Sequence, residues 1–419
     1  MQYIIVGNGI AGTSAARAIR EIDSGGPITM ISGETAYPFS RTALMYLAMG
    51  QMRLEDTEFL ERRSYRQNRI HLLHDRAERL DTVNRRVVLS GGDELQYDRL
   101  LLATGSLPAR LGSKGTELDG VVHFVSYLDM ERLMRLVERA RRRSRRAVVV
   151  GGGLIGIEVA EVLVHHGLTV DYLIREDSYW SPVLSAAEGH YVESHMATFG
   201  VRVHLQRELA EIVGSGGCVR EIVTNHQERI PCDLVAIAVG VIPNTALAKA
   251  SGIPTGRGIL ADWQLSTRAP DVYAAGDCVE IVTPGAPRNF IRAIWYSARD
   301  MGRVAGRNMA GRADTFDPGQ WYNSAKFFHL EYTAAGKTSV DGEEDGEYLH
   351  QDGRHSIRIV HRDGRLLGFS MIGSRWDHSV LLRFIRERRD LDYFFAHAGE
   401  ARFDSEMQGR LSLGREKAL

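Results

Sequence analysis

The chain opens with a predicted strand that runs directly into a glycine-rich turn, and this feature constrains the fold most. Tyr3–Val6 is an apolar run of strand length, and Gly7, Gly9 and Gly12 follow with the spacing G-x-G-x-x-G. Residues 13–20 have the composition of a helix. The first glycine of such a turn permits the bend, the second admits a pyrophosphate, and the third lets helix and strand pack closely. The helix N-terminus then points at the phosphates.

A carboxylate follows the next predicted strand, residues 28–31. Glu34 lies about twenty residues after Gly12, where a ribose-binding acid is expected. These residues predict a dinucleotide-binding unit rather than a purely structural turn. Arg41 directly precedes a helix predicted over residues 42–49, where the helix dipole and the guanidinium could both bind a phosphate. Its alternative role is that of a surface arginine beside a helix cap.

The opening pattern recurs in the middle of the chain. A predicted strand over residues 147–150 leads into glycines at 151, 153 and 156, then a helix through Val164 and a strand over residues 169–174. Two such units indicate two bound dinucleotides.

The second unit differs at the end of its second strand, where Arg175 precedes Glu176. A carboxylate there would accept the ribose hydroxyls of NAD, whereas an arginine could pair with the 2′-phosphate of NADP. Arg175 favours NADPH over NADH, because an arginine is well suited to a phosphate.

Two further predicted strands end in glycine-containing segments. One leads into Ala103-Thr104-Gly105 and the other into Gly276-Asp277. Glycine allows the backbone to approach a bound cofactor closely. The Asp277 carboxylate could bind a polyol chain.

Composition excludes several classes of protein. The 419 residues carry a formal net charge of −1, which argues against a general nucleic-acid binder. No apolar run is long enough to cross a bilayer, so we predict no membrane span. We also predict no signal peptide. The three cysteines suggest no disulfide framework, and a cytoplasmic location fits them.

A basic helix is predicted over residues 129–146. One interpretation is a solvated face without a binding function, with cations at a helix C-terminus. Its functional interpretation is a docking surface for an acidic electron carrier. The arginines concerned are Arg132, Arg135, Arg139, Arg141, Arg142, Arg143, Arg145 and Arg146.

From Asp317 onward a small α+β region is predicted. Its strands are expected over residues 326–335, 356–360 and 365–372, with a hairpin turn at Asp363-Gly364. Helices are expected over residues 377–388 and 390–397. We predict no metal site anywhere in the chain.

The four glycine-containing motifs occur in the order typical of the pyridine-nucleotide-disulfide oxidoreductase superfamily, which the chain resembles over nearly its whole length. The resemblance implies an α/β fold with two Rossmann-like domains. The FAD domain would comprise residues 1–112 and 244–316, with an NAD(P) domain inserted at 113–243. Residues 317–419 would form a C-terminal α+β dimerisation domain, giving a homodimer.

The resemblance also implies the cofactors, FAD in the first unit and NADPH or NADH in the second. Glu34 would bind the ribose of FAD, and Asp277 its ribitol. The predicted FAD contacts are Gly7, Gly9, Ala11, Gly12, Glu34, Arg41, Ala77, Thr104, Gly105, Gly276, Asp277 and Trp295. The predicted NAD(P)H contacts are Gly151, Gly153, Leu154, Ile155, Gly156, Arg175 and Gly240.

Three catalytic residues are predicted with these cofactors. Glu158 would lie at the nicotinamide, with Tyr46 also in the site. Lys326, from its own or the other subunit, would lie near the N1–C2=O edge of the flavin and stabilise the anionic reduced form. The alternative for Lys326 is a surface lysine on an edge strand.

Two short segments and two single positions bear on the subgroup. Residues 37–41 resemble the Pro-Tyr-x-Arg segment of ferredoxin, rubredoxin and nitrite reductase flavoproteins. Residues 324–326 resemble the last domain of coenzyme A disulfide reductases and NADH oxidases. Thr42 stands where those enzymes carry their redox cysteine, and a hydroxyl cannot form a mixed disulfide. Tyr46 stands where ferredoxin-reductase relatives often have a lysine.

The predicted function is oxidation of NAD(P)H through FAD, with electrons passed to a small carrier such as a ferredoxin or rubredoxin. A small-molecule acceptor is the alternative: a quinone, oxygen, or a persulfide or polysulfide. A third hypothesis is a flavin redox sensor resembling apoptosis-inducing factor. The basic residues 139–146 favour the small carrier protein as acceptor, and Thr42 counts against thiol acceptors.

Overall fold

The computed structural model describes residues 1–402. In this part of the chain the strands are, in order, β1 (Tyr3–Val6), β2 (Ile28–Ser32), β3 (Ile70–His74), β4 (Ala77–Asp81), β5 (Arg86–Leu89), β6 (Glu94–Gln96), β7 (Arg99–Leu102), β8 (Ser106–Pro108), β9 (Val121–Val122), β10 (Arg146–Val150), β11 (Thr169–Ile174), β12 (Arg202–Leu205), β13 (Leu209–Ser215), β14 (Cys218–Thr224), β15 (Arg229–Pro231), β16 (Leu234–Ile237), β17 (Val241–Pro243), β18 (Ile259–Ala261), β19 (Val272–Ala274), β20 (Val279–Ile281), β21 (Tyr322–Phe327), β22 (Leu330–Gly336), β23 (Asp345–Gln351), β24 (Ser356–Arg362) and β25 (Arg365–Ile372). The helices are α1 (Ile10–Ile22), α2 (Leu44–Ala48), α3 (Arg62–Gln67), α4 (Tyr127–Arg141), α5 (Leu154–His165), α6 (Ala186–Thr198), α7 (Ala246–Ala250), α8 (Trp295–Met309), α9 (His378–Arg386) and α10 (Leu391–His397).

The chain divides into two compact units. Unit 1 comprises residues 1–111, 122–138 and 239–317. Unit 2 comprises residues 112–121 and 139–238 and the described residues from 318 onward.

Unit 1 is built on a parallel sheet with the strand order β19-β7-β1-β2-β3. The inner strands β1, β2 and β7 are largely buried and therefore have continuous apolar runs, such as Leu100–Leu102, which is fully buried. Chain order reverses between β1 and β7, and ligands of such sheets bind outside the carboxyl ends of the strands at this point. The first glycine turn follows β1 at that position.

Unit 2 repeats this arrangement and adds an antiparallel sheet. Strands β12, β11, β10 and β16 lie side by side and parallel, and the second glycine turn follows β10. The antiparallel sheet has the order β21-β22-β25-β24-β23 and packs its apolar face against α9 and α10. Both predicted parallel sheets are therefore present, which confirms the predicted α/β fold class.

One predicted strand, residues 326–335, is wrong in an informative way. The chain reverses at Phe328 and His329, so that β21 and β22 form an antiparallel hairpin with Lys326 opposite Glu331. Phe328 and His329 have φ angles of 46° and 65°, the left-handed values of a tight hairpin turn. Non-glycine residues in this region cost on the order of 1–3 kcal/mol each, so nothing local in the sequence indicates a turn here. The hairpin predicted at Asp363-Gly364 is present between β24 and β25.

The basic helix is shorter than predicted. It is α4, which ends at Arg141, and Arg146 already begins strand β10. Arg145 has a φ of 57°, which is incompatible with a helix. Strand β23 was not predicted.

Within residues 1–402, no helix is both long and apolar enough to cross a membrane.

Candidate functional site

The first glycine turn has the geometry of a phosphate cradle. Gly7 has a φ of 111°, and a Cβ there would lie 2.0 Å from the Ala103 carbonyl oxygen. A Cβ at Gly12 would lie 2.0 Å from the Gly7 carbonyl oxygen, so helix and turn pack backbone against backbone. A Cβ at Gly9, in contrast, would meet no atom within 4 Å. Only the middle glycine therefore faces open space, at the N-terminus of α1.

The carboxylate of Glu34 lies after β2 and is held by three donors. Arg41 donates to both oxygens at 3.0 and 2.6 Å, and the backbone N–H of Tyr127 donates at 2.6 Å. Arg41 also donates to the Val125 carbonyl oxygen at 2.6 Å. The predicted ribose ligand and the predicted phosphate ligand thus form one ion pair, and the segment around Tyr127 that completes it was missed by the sequence analysis.

The segment Gly276-Asp277 passes beside the first glycine turn. A Cβ at Gly276 would lie 3.0 Å from the Cβ of Ala11, on helix α1. Ser106 donates to the Asp277 carboxylate at 3.1 Å, and burial raises the pKa of that carboxyl. Two distant predicted FAD segments are therefore neighbours in unit 1.

The Ala-Thr-Gly segment is fixed by the returning chain. The Thr104 hydroxyl donates to the Asn244 carbonyl oxygen at 2.6 Å, and the Gly105 carbonyl accepts from Asn244 N–H at 2.9 Å. Ala109 N–H donates to the Gly240 carbonyl at 2.9 Å. These bonds join strand β8 to β17 as a ribbon.

The remaining unit 1 predictions are placed as follows. Trp295 begins α8, and its indole N–H is buried without a hydrogen-bond partner in the described chain. Ala77 begins β4, and Tyr46 lies in α2. Thr42 is exposed in the turn just before that helix, with its hydroxyl 2.8 Å from that of Ser40.

These residues fit FAD. The open cradle at Gly9 suits a pyrophosphate, Glu34 is an acceptor for ribose hydroxyls, and Asp277 is an acceptor for ribitol. The unpartnered N–H of Trp295 is a donor, as an acceptor-rich cofactor needs.

The second glycine turn reproduces the first and adds a support. Gly151 has a φ of 120°, and a Cβ at Gly156 would lie 2.2 Å from the Gly151 carbonyl oxygen. A Cβ at Gly153 would meet nothing within 4 Å, so this site is open too. The buried hydroxyl of Tyr172 donates to the Gly151 carbonyl at 2.8 Å. Helix α5 begins at Leu154 and Ile155 with its N-terminus at this opening.

Arg175 and Glu176 lie together after β11. Arg175 donates to the Glu176 carboxylate at 2.8 Å, and its own side chain is 70% exposed. The other Glu176 oxygen lies 3.6 Å from the Cβ position of Gly152. The Glu176 carboxylate therefore lies next to the turn, and Arg175 is paired with it.

Glu158 lies on α5, close to the second glycine turn. Burial and the charge of Glu161, one helical turn further on, raise the pKa of Glu158 to about 8. Glu161 was missed by the sequence analysis. A carboxyl with this pKa is largely protonated at neutral pH and could donate a hydrogen bond to a nicotinamide carboxamide.

Lys326 lies on β21, with its ammonium 3.5 Å from the Glu331 carboxylate and its side chain 46% exposed. Glu158 and Lys326 belong to unit 2, whereas Tyr46 belongs to unit 1. Their roles stay predictions.

Comparison with known proteins identifies the family. Residues 1–302 match the model of the pyridine nucleotide-disulphide oxidoreductase family. The chain belongs to this family, which confirms the predicted class: an oxidoreductase that uses FAD and NAD(P)H.

Individual relatives have related activities. Rubredoxin-NAD(+) reductase of Pseudomonas putida is 33% identical over 281 residues, which are 66% of this chain and 72% of the relative. Nitrite reductase (NAD(P)H) of Bacillus subtilis is 29% identical over 399 residues, which are 93% of this chain and 48% of the relative. The chain thus spans about half the length of that nitrite reductase.

A similar solved structure covers almost the whole chain. The ferredoxin reductase of Rhodopseudomonas palustris has a TM-score of 0.81 and 24% identity, covering 99% of this chain and 98% of its own. At this identity the likeness supports the fold alone.

Proposed function

We propose that this protein oxidises NAD(P)H through bound FAD and passes the electrons to a small acidic electron-transfer protein of the ferredoxin or rubredoxin type. FAD, when bound, would accept a hydride from the reduced nicotinamide and release electrons to the acceptor. The protein's part is to hold and orient the two cofactors.

The chain's own residues have distinct tasks in this proposal. In unit 1 the Gly9 opening would take the pyrophosphate of FAD, with Glu34 on the ribose and Asp277 on the ribitol. Arg41 would keep one hydrogen bond to Glu34 and donate another to a phosphate oxygen, since a guanidinium has several donors.

In unit 2 the Gly153 opening would take the NAD(P)H pyrophosphate. Arg175 would bind the 2′-phosphate of NADPH, and Glu176 the ribose hydroxyls of NADH. Glu158 would hold the nicotinamide carboxamide, and Lys326 would supply a positive charge that favours reduced flavin.

A basic surface at the end of α4 and directly after it supports this choice of acceptor. Arg141, Arg142, Arg143 and Arg145 are all exposed, in a chain of almost no net charge. Such a local excess of positive charge steers an acidic partner and orients it on docking. Relatives named as reductases of rubredoxin and ferredoxin agree with this choice.

The proposal includes a homodimer formed through residues 317–419 and a cytoplasmic location. The cysteines Cys218, Cys232 and Cys278 are unpaired thiols, as a reducing compartment requires.

The test is stopped-flow reduction of the flavin by NADPH and NADH, followed by mixing with a panel of acceptors. We expect fast reduction, then fast reoxidation by a ferredoxin or rubredoxin that slows steeply as salt screens the arginines. Fast reoxidation by a quinone, oxygen or a persulfide alone would replace the carrier with a small molecule. Fast reduction with no fast acceptor would favour the redox sensor.

A further inference from the structure

The turn between β21 and β22 in unit 2 buries one of its two central residues and exposes the other, His329. Phe328, its first central residue, is 1% exposed. Phe328 and His329 both have left-handed φ angles, a conformation for which hairpins normally use Asn-Gly. The turn therefore needs support from outside the hairpin.

Two helices of unit 2 supply that support. The Phe328 N–H donates to the Glu161 carboxylate on α5 at 2.6 Å. The Phe328 carbonyl oxygen lies 2.7 Å from His195 Nε2 on α6, which donates in the tautomer protonated at this nitrogen. The backbone N–H and C=O of the buried residue Phe328 are thus both satisfied by side chains, as burial requires.

Glu161 connects this turn to helix α5, which also carries Glu158. It lies three residues after Glu158 on α5, so both carboxyls lie on one face. His165 on α5, together with Lys326 and His329 on the hairpin, favours the ionised form of Glu161. Burial outweighs these charges and the bond from Phe328, so the pKa of Glu161 is raised. Glu161 is therefore surrounded by the groups that the hairpin brings to α5.

We propose that Glu161 is a positioning residue: by anchoring the Phe328-His329 turn, it holds Lys326 in place beside helix α5. The inference rests on the proposed function, in which Lys326 promotes flavin reduction. Lys326 is two residues before Phe328 on β21, so release of the turn would free the strand end that carries the ammonium.

A double-mutant cycle on the FAD-loaded protein tests this. The rate constant of flavin reduction is measured for wild type, Lys326→Gln, Glu161→Ala and the double variant. We expect each single variant to lose about tenfold, the size of one hydrogen bond to a charged group. Because Glu161 acts through Lys326, the double variant should be no slower than either single variant. Multiplicative losses, or no loss in Lys326→Gln, would overturn the inference.

Two further variants separate anchoring from charge. Glu161→Gln keeps an acceptor for the Phe328 N–H and should stay within about twofold of wild type, a difference below that of one hydrogen bond. His329→Gly in the Glu161→Ala background relieves the left-handed strain and should restore most of the rate. Equal losses in Glu161→Gln and Glu161→Ala would contradict a role through the turn.

Should Glu161→Ala fail to retain FAD, His195→Ala releases the same turn from its other side. It should reproduce the loss of rate, and combining it with Lys326→Gln should cause no further loss; a further loss would overturn the inference.

Asp390→Ala is the matched control, because it removes a similar hydrogen bond, from Tyr393 N–H to a carboxylate at 2.9 Å, elsewhere in unit 2. Asp390→Ala should lower the stability of the protein and leave the rate constant of flavin reduction unchanged. A similar loss of rate in this variant would show that the effect of Glu161→Ala is general destabilisation, and would overturn the inference. A wild type that neither nucleotide reduces would instead overturn the proposed function, and the inference with it.

Discussion

The two glycine turns share one backbone geometry and differ in what surrounds it. In both, the first glycine has a φ near the same value, 111° at Gly7 and 120° at Gly151. In both, the middle glycine faces open space and the last packs against the carbonyl of the first. The common part is thus fixed by three residues that lack a side chain.

The side chains around the two turns differ at the positions that could distinguish one dinucleotide from another. Glu34 is held by Arg41 from seven residues away, whereas Glu176 pairs with its neighbour Arg175. Helix α5 carries Glu158 two residues after its last glycine, where α1 carries the buried Ser14. The two units therefore repeat the backbone geometry that we propose for a pyrophosphate, and in the proposal the choice of cofactor depends on side chains outside the turn.

The largest expected effect comes from placing a side chain at the open glycines. Gly9→Val should give folded, colourless protein, because a Cβ there meets no protein atom within 4 Å and the side chain fills the space proposed for the pyrophosphate. Gly153→Val should keep its FAD and lose reduction by NAD(P)H. Circular dichroism and the flavin absorbance distinguish the two. Normal FAD content in Gly9→Val, or normal reduction of Gly153→Val, would break the assignment of the turns.

A smaller effect is expected at the Arg175–Glu176 pair of unit 2, which we propose selects the cofactor. Arg175→Ala should raise the KM for NADPH by the equivalent of about 1.5–3 kcal/mol, the range for a charge-assisted hydrogen bond, and leave NADH almost unaffected. Glu176→Gln is the matched variant and should weaken NADH more than NADPH. Steady-state kinetics with both nucleotides measure this. Equal effects on both cofactors would show that Arg175 does not bind the phosphate.

Glu158 should make the stability of the protein depend on pH, whereas Ser14, at the matching position of α1, has no group that titrates. Glu158 has a pKa of about 8 when folded and 4.5 as its ordinary value. Between these values the folded protein holds the proton more tightly, so the unfolding free energy falls as pH rises. Relative to Glu158→Gln, wild type should lose at most about 1.4 kcal/mol per pH unit in this window. Denaturant titrations at several pH values measure the difference, and parallel profiles for the two proteins would contradict it.

The smallest effect, none on turnover, is expected at the cysteines of both units. Burial raises the pKa of Cys232 to about 12 and also raises that of Cys278, so neither is a reactive thiolate. Replacing them together with Cys218 should leave flavin reduction and acceptor activity intact. Dithionite titration should take two electrons per FAD in both proteins. An extra equivalent lost with one cysteine would point to disulfide chemistry.

The sequence predicted what local chemistry determines and missed what distant contacts determine. The strand, turn and helix at Gly7 and at Gly151 follow from neighbouring residues, and the parallel sheets follow from their apolar runs. The bond from Ser106 to Asp277 joins residues 171 positions apart, and no spacing rule indicates it. The split of residues 326–335 was hidden for the same reason.

The Phe328-His329 turn has a consequence for the order of folding. An Asn-Gly hairpin can close by itself within microseconds. This one depends on partners 133 and 167 residues earlier in the chain, so its loop-closure entropy must be overcome before the turn becomes favourable. Hairpin β21–β22 should therefore form only after α5 and α6 have taken their places. Substitutions in its turn should then accelerate unfolding while leaving the rate of folding nearly unchanged, the signature of a structure that is added last.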